Sequence, residues 1–220
     1  MIISRALSEI QKNGLASFIK QLFKFIKNIF FLYQKHYMLQ KNLEYLKESE
    51  IKIKDFDLIK DFDLRIISTK KEFHDLLEER FNINSPFSRK DFERKISQGQ
   101  ILFCIFIEKV LAHSSWVVMS SNIKIHPPLN INYRREAFIH FCITAPEYQG
   151  MGLYPYTLSM ILKFLKRKNL SKAKLTIMKN NAPSKKGATK VGFEVYGEGK
   201  FLKLFLLEFW KEQLKKNIKK

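Results

Sequence analysis

Acidic residues are scarce in this chain of 220 residues: 21 Asp and Glu face 40 Lys and Arg, a formal charge of +19. Such a surface draws polyanions, whether nucleic acid, an anionic bilayer or a phosphorylated cofactor. It does not choose between them, and part of the excess is the solvated surface of any lysine-rich protein. Cysteine is nearly absent. Cys104 and Cys142 are the whole complement, both inside apolar runs, a pattern that suits buried free thiols in a reducing compartment better than a disulfide framework. No Cys/His spacing resembles a zinc site, so no metal is expected. No secretory signal is read either, because Arg5 and Glu9 interrupt the first ten residues and no apolar stretch with a small-residue cleavage site follows. The chain is therefore expected in the cytoplasm. A bilayer span is also missing: the greasiest window, residues 15–33, holds Lys20, Lys24 and Lys27.

What is present belongs to a folded protein. An apolar fraction of 45% is more than a disordered chain carries. The length holds one full-sized domain with an extension rather than two cores.

Residues 15–33, LASFIKQLFKFIKNIFFLY, put Leu15, Phe18, Leu22, Ile26, Ile29 and Tyr33 on one helical face and lysines on the other, which predicts an amphipathic helix. Its apolar face either packs on the domain's own core or makes a peripheral contact with a membrane interface. The pentapeptide KDFDL occurs twice in residues 50–64, too short for a structural repeat, and reads as a connector. From Leu64 the pattern becomes regular. LRIIS predicts a strand, and Thr69 with Glu72 forms a capping box heading a helix over 70–80. Ser88 heads a second helix ending at Gly99. ILFCIFIE and VLAHSSWVVMS predict an antiparallel pair of strands. A strand over 136–144, a glycine loop, a helix over 153–167, the strand KLTIM, a short helix from Asn181 to Gly192, and the strands FEVYG and KFLKLFLLEFW complete the order. This is an α/β arrangement: a mixed, mostly antiparallel sheet with helices on both faces. The expected division is an N-terminal helical extension and connector over 1–60, a domain over 61–210 and a frayed basic tail over 211–220.

With only 8 glycines in the chain, two of them, Gly150 and Gly152, stand between the strand and the helix of FIHFCITAPEYQGMGLYPYTLSMILKFLKRK. A strand-to-helix loop leaves several backbone N–H groups unpaired at the positive end of the helix dipole, and such a start binds phosphate. Glycine keeps Cβ atoms out of the way and permits positive φ, while Pro155 in the first turn sacrifices an N–H the helix does not use. The phosphate ligand is narrowed by what is missing. No Gly-Lys-Ser/Thr follows, so this is no Walker loop, and position 155 is Pro where a dinucleotide fingerprint has Gly or Ala.

The segment APEYQGMGLYPYTLSMIL resembles the acetyl-CoA-binding segment of the GCN5-related N-acetyltransferase superfamily, whose signature is Q/R-x-x-G-x-G/A between a strand and a helix. Gln149, Gly150, Met151, Gly152, Leu153 and Tyr154 fall on it in order. NAPSKKGATKVGF resembles the family's second segment through Asn181, Ser184, Gly192 and Phe193. The resemblance covers about residues 62–208 and leaves the first 60 outside. It implies acetyl-CoA as co-substrate, with its pyrophosphate on the N–H groups of residues 149–154 and its pantetheine arm along the strand ending at Ile143 and Thr144. Asn181 and Ser184 would orient that arm. Two departures stand out: Tyr154 occupies a position where the family has Gly or Ala, and Ala188 one where many members have the Tyr that protonates the departing thiolate.

Transfer of the acetyl group to a primary amine calls for somewhere to put a proton. His140 is the first candidate base, expected to titrate near neutrality, and Glu136, four residues earlier on the same strand face, is the alternative. His113 is a weaker candidate, and positioning alone could replace a dedicated base. The resemblance puts the acceptor pocket in residues 80–99 and 120–135, where Phe87, Tyr133, Arg134 and Arg135 suit an anionic small molecule or glycan amine such as an amino sugar of cell-envelope synthesis. A peptide N-terminal amine is the competing acceptor. Two readings from other classes stay open: a basic nucleic-acid-binding protein, opposed by lysines spread along the chain rather than gathered in one stripe, and a coenzyme-binding protein without catalysis.

Overall fold

A computed structural model describes residues 17, 19, 31–44 and 62–215. Among these, eight strands form one sheet in the order β2-β3-β4-β5-β6-β1-β7-β8. The strands are β1 (Phe31–Asn42), β2 (Phe62–Ile67), β3 (Ile101–Ile107), β4 (Val110–Val118), β5 (Glu136–Thr144), β6 (Lys172–Met178), β7 (Glu194–Leu204) and β8 (Leu207–Leu214). The helices are α1 (Lys70–Glu78), α2 (Arg89–Ser97), α3 (Leu153–Arg167) and α4 (Ala182–Lys190). Only β5 and β6 run parallel; every other neighbouring pair is antiparallel.

Local chemistry explains the element starts. Thr69 Oγ1 accepts the Glu72 N–H while Glu72 Oε2 accepts the Thr69 N–H, the reciprocal box that satisfies two donors at the head of α1. Ser88 caps α2 in the same manner through the Asp91 N–H. Strand β3 is buried on both faces, and its alternate residues serve two cores. Leu102, Cys104 and Phe106 pack with Phe73, Leu76, Phe92 and Ile96 of α1 and α2. Ile101 and Phe103 pack under α3 with Leu158, Ile161, Leu162 and Leu165. The loop 119–135 covers the first face further along, through Ile123, Ile125 and Leu129 against Phe138. The expected α/β sheet with helices on both faces is thus the observed fold.

Three expectations need correction. The predicted helix over 15–33 stops short, since Phe31–Tyr33 open strand β1; positions 17 and 19 are helical, and the rest of 15–30, like the connector over 45–61, lies outside the described residues. More consequentially, the first 60 residues are not all an extension. Strand β1 sits between β6 and β7, near one end of the sheet but paired on both edges. Its alternation is hidden by a register shift between Met38 and Leu39, which leaves both consecutive side chains fully buried and defeats a period-2 reading. Finally, the C-terminal hairpin turns later than expected. Gly197 and Gly199 do not end a strand; β7 runs through them, and Gly199 is small because the Trp210 ring lies where its Cβ would be. Lys211–Leu214 are paired strand rather than tail.

Candidate active site

Strand β5 carries an extra residue. Its register against β4 runs His113 to Thr144 and Ser114 to Ile143, then resumes at Trp116 to His140, so two steps on β4 face three on β5. Phe141 absorbs the difference with φ +46, a conformation that costs a bulky side chain about 1–2 kcal/mol. On its other edge β5 pairs with β6 only from Glu136 to Ile139. Beyond that point β6 continues to Met178 bonded to β1 alone, and the two parallel strands part. The edge of residues 140–144 facing β6 is left open to a ligand.

The glycine loop closes the end of this cleft. Gly150 and Gly152 have φ +84 and +81, which turns the chain from a short 3-10 turn (Pro146–Tyr148) into α3. Gly152 is the N-cap and offers no side-chain acceptor. As a result the amides of Gly150, Met151, Gly152, Leu153 and Tyr154 have no acceptor among the described residues. Five successive free donors at a helix start have the geometry that receives an anion. Around them lies an open cavity of about 590 Å³ whose wall includes Ile143, Thr144, Gln149, Gly150, Gly152, Leu153, Tyr154, Asn181 and Ser184. Nine of the ten residues expected to hold the coenzyme are therefore together; Met151 is not on the wall, its side chain standing partly exposed.

Helix α4 forms the opposite wall. Asn181 Oδ1 accepts the Ser184 N–H at 3.1 Å, so these two residues also cap the helix on which the cavity depends. Pro183, Lys186, Gly187 and Lys190 follow on the cavity side, the i, i+3, i+4, i+7 stripe of one helix face. The two lysines were missed in the sequence, although that stripe, read outward from Pro183, would have found them. Ala188 points the other way and is fully buried in the core. Position 188 therefore presents no proton donor. Tyr154 does stand on the wall: its ring lies against Gly187, whose Cβ would be 2.7 Å from Tyr154 Cδ1, and its centroid is 6.0 Å from that of His113. Burial, with a smaller contribution from Cys142, pushes its phenol well above the usual range. Its hydroxyl has no hydrogen-bond partner among the described residues.

The expected bases are placed differently. His140 is not on the cavity wall. Its Nε2 hydrogen-bonds with Gln100 Oε1 at 2.9 Å, its Nδ1 is buried without a partner, and burial, then the nearby Lys95 charge, lowers its pKa to about 3. It does not titrate near neutrality. Glu136 lies four residues away, roughly 13 Å along the strand, where it pairs with Lys174 at 2.6 Å and Lys172 at 3.7 Å and accepts the Asn132 N–H. That carboxylate ties β5 to β6 at the closed end of the cleft. His113 spends both nitrogens on Thr144 Oγ1 and Ser115 Oγ at 2.7 and 2.8 Å, and burial lowers it to about 3 as well. In the expected acceptor region Phe87 is core, against Phe92. Tyr133 packs under the 119–135 loop, Arg135 pairs with Glu44, and Arg134 is exposed.

Among the described residues no group of His, Cys, Asp and Glu could hold a metal, and no helix is long and apolar enough to cross a membrane.

Residues 71–193 match the model of the "Acetyltransferase (GNAT) family". Several solved structures share the fold at low identity. A GCN5-related N-acetyltransferase-like protein from Streptococcus suis has a TM-score of 0.51 at 14% identity, covering 88% of this chain and 69% of its own. An acetyltransferase of the GNAT family from Colwellia psychrerythraea has a TM-score of 0.50 at 16% identity, covering 88% and 74%. A Drosophila protein has a TM-score of 0.50 at 11% identity, and this chain spans only 57% of its length. No curated protein matches the chain.

Proposed function

The chain belongs to the acetyltransferase (GNAT) family, and on that premise we propose that it transfers an acetyl group from acetyl-CoA to a primary amine. The observation that carries the reading is the run of free amides from Gly150 to Tyr154 at the mouth of a cleft between parting strands. Acetyl-CoA, when bound, supplies an activated acyl carbon and a thiolate as leaving group.

The chain's own residues fit that ligand. The five amides and the α3 dipole receive a diphosphate, and Lys186 and Lys190 add positive charge from the facing helix. The open edge of residues 140–144 offers backbone groups to the amides of an extended arm, in the manner of an added strand. Tyr154 Oη has no hydrogen-bond partner among the described residues, which leaves its proton free to go to a departing thiolate from α3 instead of from position 188; burial makes the phenol a weaker acid, and the phenolate regains a proton from the acylated nitrogen, directly or through water. A His140 imidazole with a pKa of about 3 is too weak to deprotonate an alkylammonium directly. The amine therefore enters uncharged or loses its proton to water, and the gain comes mainly from holding two reactants together.

For the acceptor, the proposal is a primary amine on an anionic small molecule, an amino sugar of cell-envelope glycan synthesis being one such compound. The support is the +19 charge and the exposed Arg134. A cytoplasmic setting is supported by Cys104 and Cys142 standing as free thiols.

The test is a thermal melt of the purified protein with and without acetyl-CoA, repeated with Gly152→Glu. Ligand at about 100 times its dissociation constant stabilises by about 2.7 kcal/mol, and a folded Gly152→Glu protein should lose the shift. Amine-dependent release of free thiol then reports transfer. A shift without turnover on any amine would leave a binding protein that has lost catalysis, while no shift at millimolar ligand would sink the coenzyme reading.

A further inference from the structure

The end of the sheet formed by β1, β7 and β8 carries a pattern that folding does not call for. Residues paired across these strands project from one face, the face that bears α3 and α4. Phe31, Leu204 and Leu207 make one row in register, and Tyr33, Leu202 and Phe209 make the next. Five of these six are well exposed, from 39% at Leu204 to 60% at Leu207. The third row is Lys35, Lys200 and Lys211, three like charges directly opposite one another, a pairing that destabilises a sheet. All three are exposed, and none has an ion-pair partner among the described residues. Beyond them α4 takes over, with Lys185 above Tyr37.

The hairpin turn at this end is equally out of keeping. Leu204 pairs with Leu207, so Phe205 and Leu206 form a two-residue turn, where Asn-Gly and Asp-Gly are the favoured occupants. Phe205 has φ +54 and Leu206 is 95% exposed. Two exposed apolar rows, an apolar turn tip and a lysine row that Glu198, beside Lys200, offsets only in part give up stability that a binding surface would recover.

We propose that this sheet face is the docking surface for an anionic membrane, with the apolar rows entering the interface and the lysine row meeting lipid phosphates. The spacing fits: rows on one face lie two residues apart, about 7 Å, and interfacial segments bury their apolar face by about 5–10 Å. Charge favours a bilayer over a second copy of the chain, whose own lysine row would repel this one. Docking is peripheral, and it does not depend on what the cavity binds.

The experiment is co-sedimentation of the full chain with vesicles of phosphatidylcholine alone and of phosphatidylcholine mixed with phosphatidylserine. The wild type should bind the mixed vesicles and release in high salt. Changing all three of Lys35, Lys200 and Lys211 to Gln should weaken binding on the order of a hundredfold, the loss expected for three lysines at an anionic surface. Leu207→Ser with Phe209→Ser should weaken it comparably, and neither variant should melt below the wild type. The proposal is overturned by a wild type that ignores anionic vesicles or by variants that bind as well as the wild type. It is also overturned by a Leu207/Phe209 variant whose melting temperature drops, which would mean that the chain covers this face itself. A wild-type dimer that this variant splits would overturn it too, by assigning the face to a second copy.

Discussion

The Tyr154 ring rests on the backbone of Gly187, so close that a Cβ there would meet Tyr154 Cδ1 at 2.7 Å. The two positions are complementary: a large residue on α3 is accommodated because α4 has none opposite. Ala188, next in the chain, is turned into the core. Among the described residues, the phenol held between the two helices therefore comes from the glycine loop's side of the cavity.

Tyr154→Phe should lower turnover by about 10²-fold, the lower end of what a positioned acid contributes. Stability and the acetyl-CoA melt shift should stay close to wild type, because the hydroxyl removed has no hydrogen-bond partner among the described residues. Full activity in this variant would show that the thiolate leaves without a proton from Tyr154. Gly187→Ala should push the same ring aside at a cost of about 1–3 kcal/mol, the price of overpacking, read as a lower melting temperature.

Lys186→Ala with Lys190→Ala should weaken acetyl-CoA binding by about tenfold or more, with the difference shrinking as salt rises, since exposed charges are screened. The melting temperature without ligand should barely move. Titration calorimetry at two salt concentrations reads both; equal affinities at low salt would remove these lysines from the site.

Glu136→Gln should destabilise the protein on the order of 2–3 kcal/mol, because it leaves Lys174 facing an uncharged group in a nearly enclosed place. The acetyl-CoA shift should persist. An unchanged melting temperature together with lost turnover would instead make Glu136 the base.

Acid should weaken the fold earlier than carboxylate protonation requires. His113 and His140 have folded pKa values of about 3 against 6.5 for the free side chain. A depressed histidine is neutral in the fold and binds a proton on unfolding, so its contribution is complete above about pH 6.5 and is lost as pH falls toward 3. Each group gives about 1.4 kcal/mol per pH unit within that window. Urea midpoints measured through it should fall steadily, and a flat profile down to pH 5 would contradict the burial of both rings.

Much of this molecule was legible in the sequence because its signals are local. The capping box of Thr69 and Glu72, the cap at Ser88, the glycine pair at 150 and 152 and the apolar period of 153–167 each act within a turn or two of chain, where short-range sterics and hydrogen bonding decide. The cavity wall was legible for the same reason: its residues lie in two contiguous segments.

Tertiary structure decided the rest. Strand β1 does not announce itself, since its polar residues and displaced alternation make sense only once β6 and β7 flank it. His140 and Glu136, four apart on a strand, stood in the sequence as first candidate base and alternative. The fold separated them, desolvating one beside Lys95 and pairing the other with two lysines. The row of Lys35, Lys200 and Lys211 exists only in the sheet, because residues 165 positions apart become neighbours through register. Sequence by itself determined the capped helices and the glycine loop, whose signals are local; burial and strand pairing, which depend on residues far along the chain, determined where β1 sits and which of the charged groups are free to act.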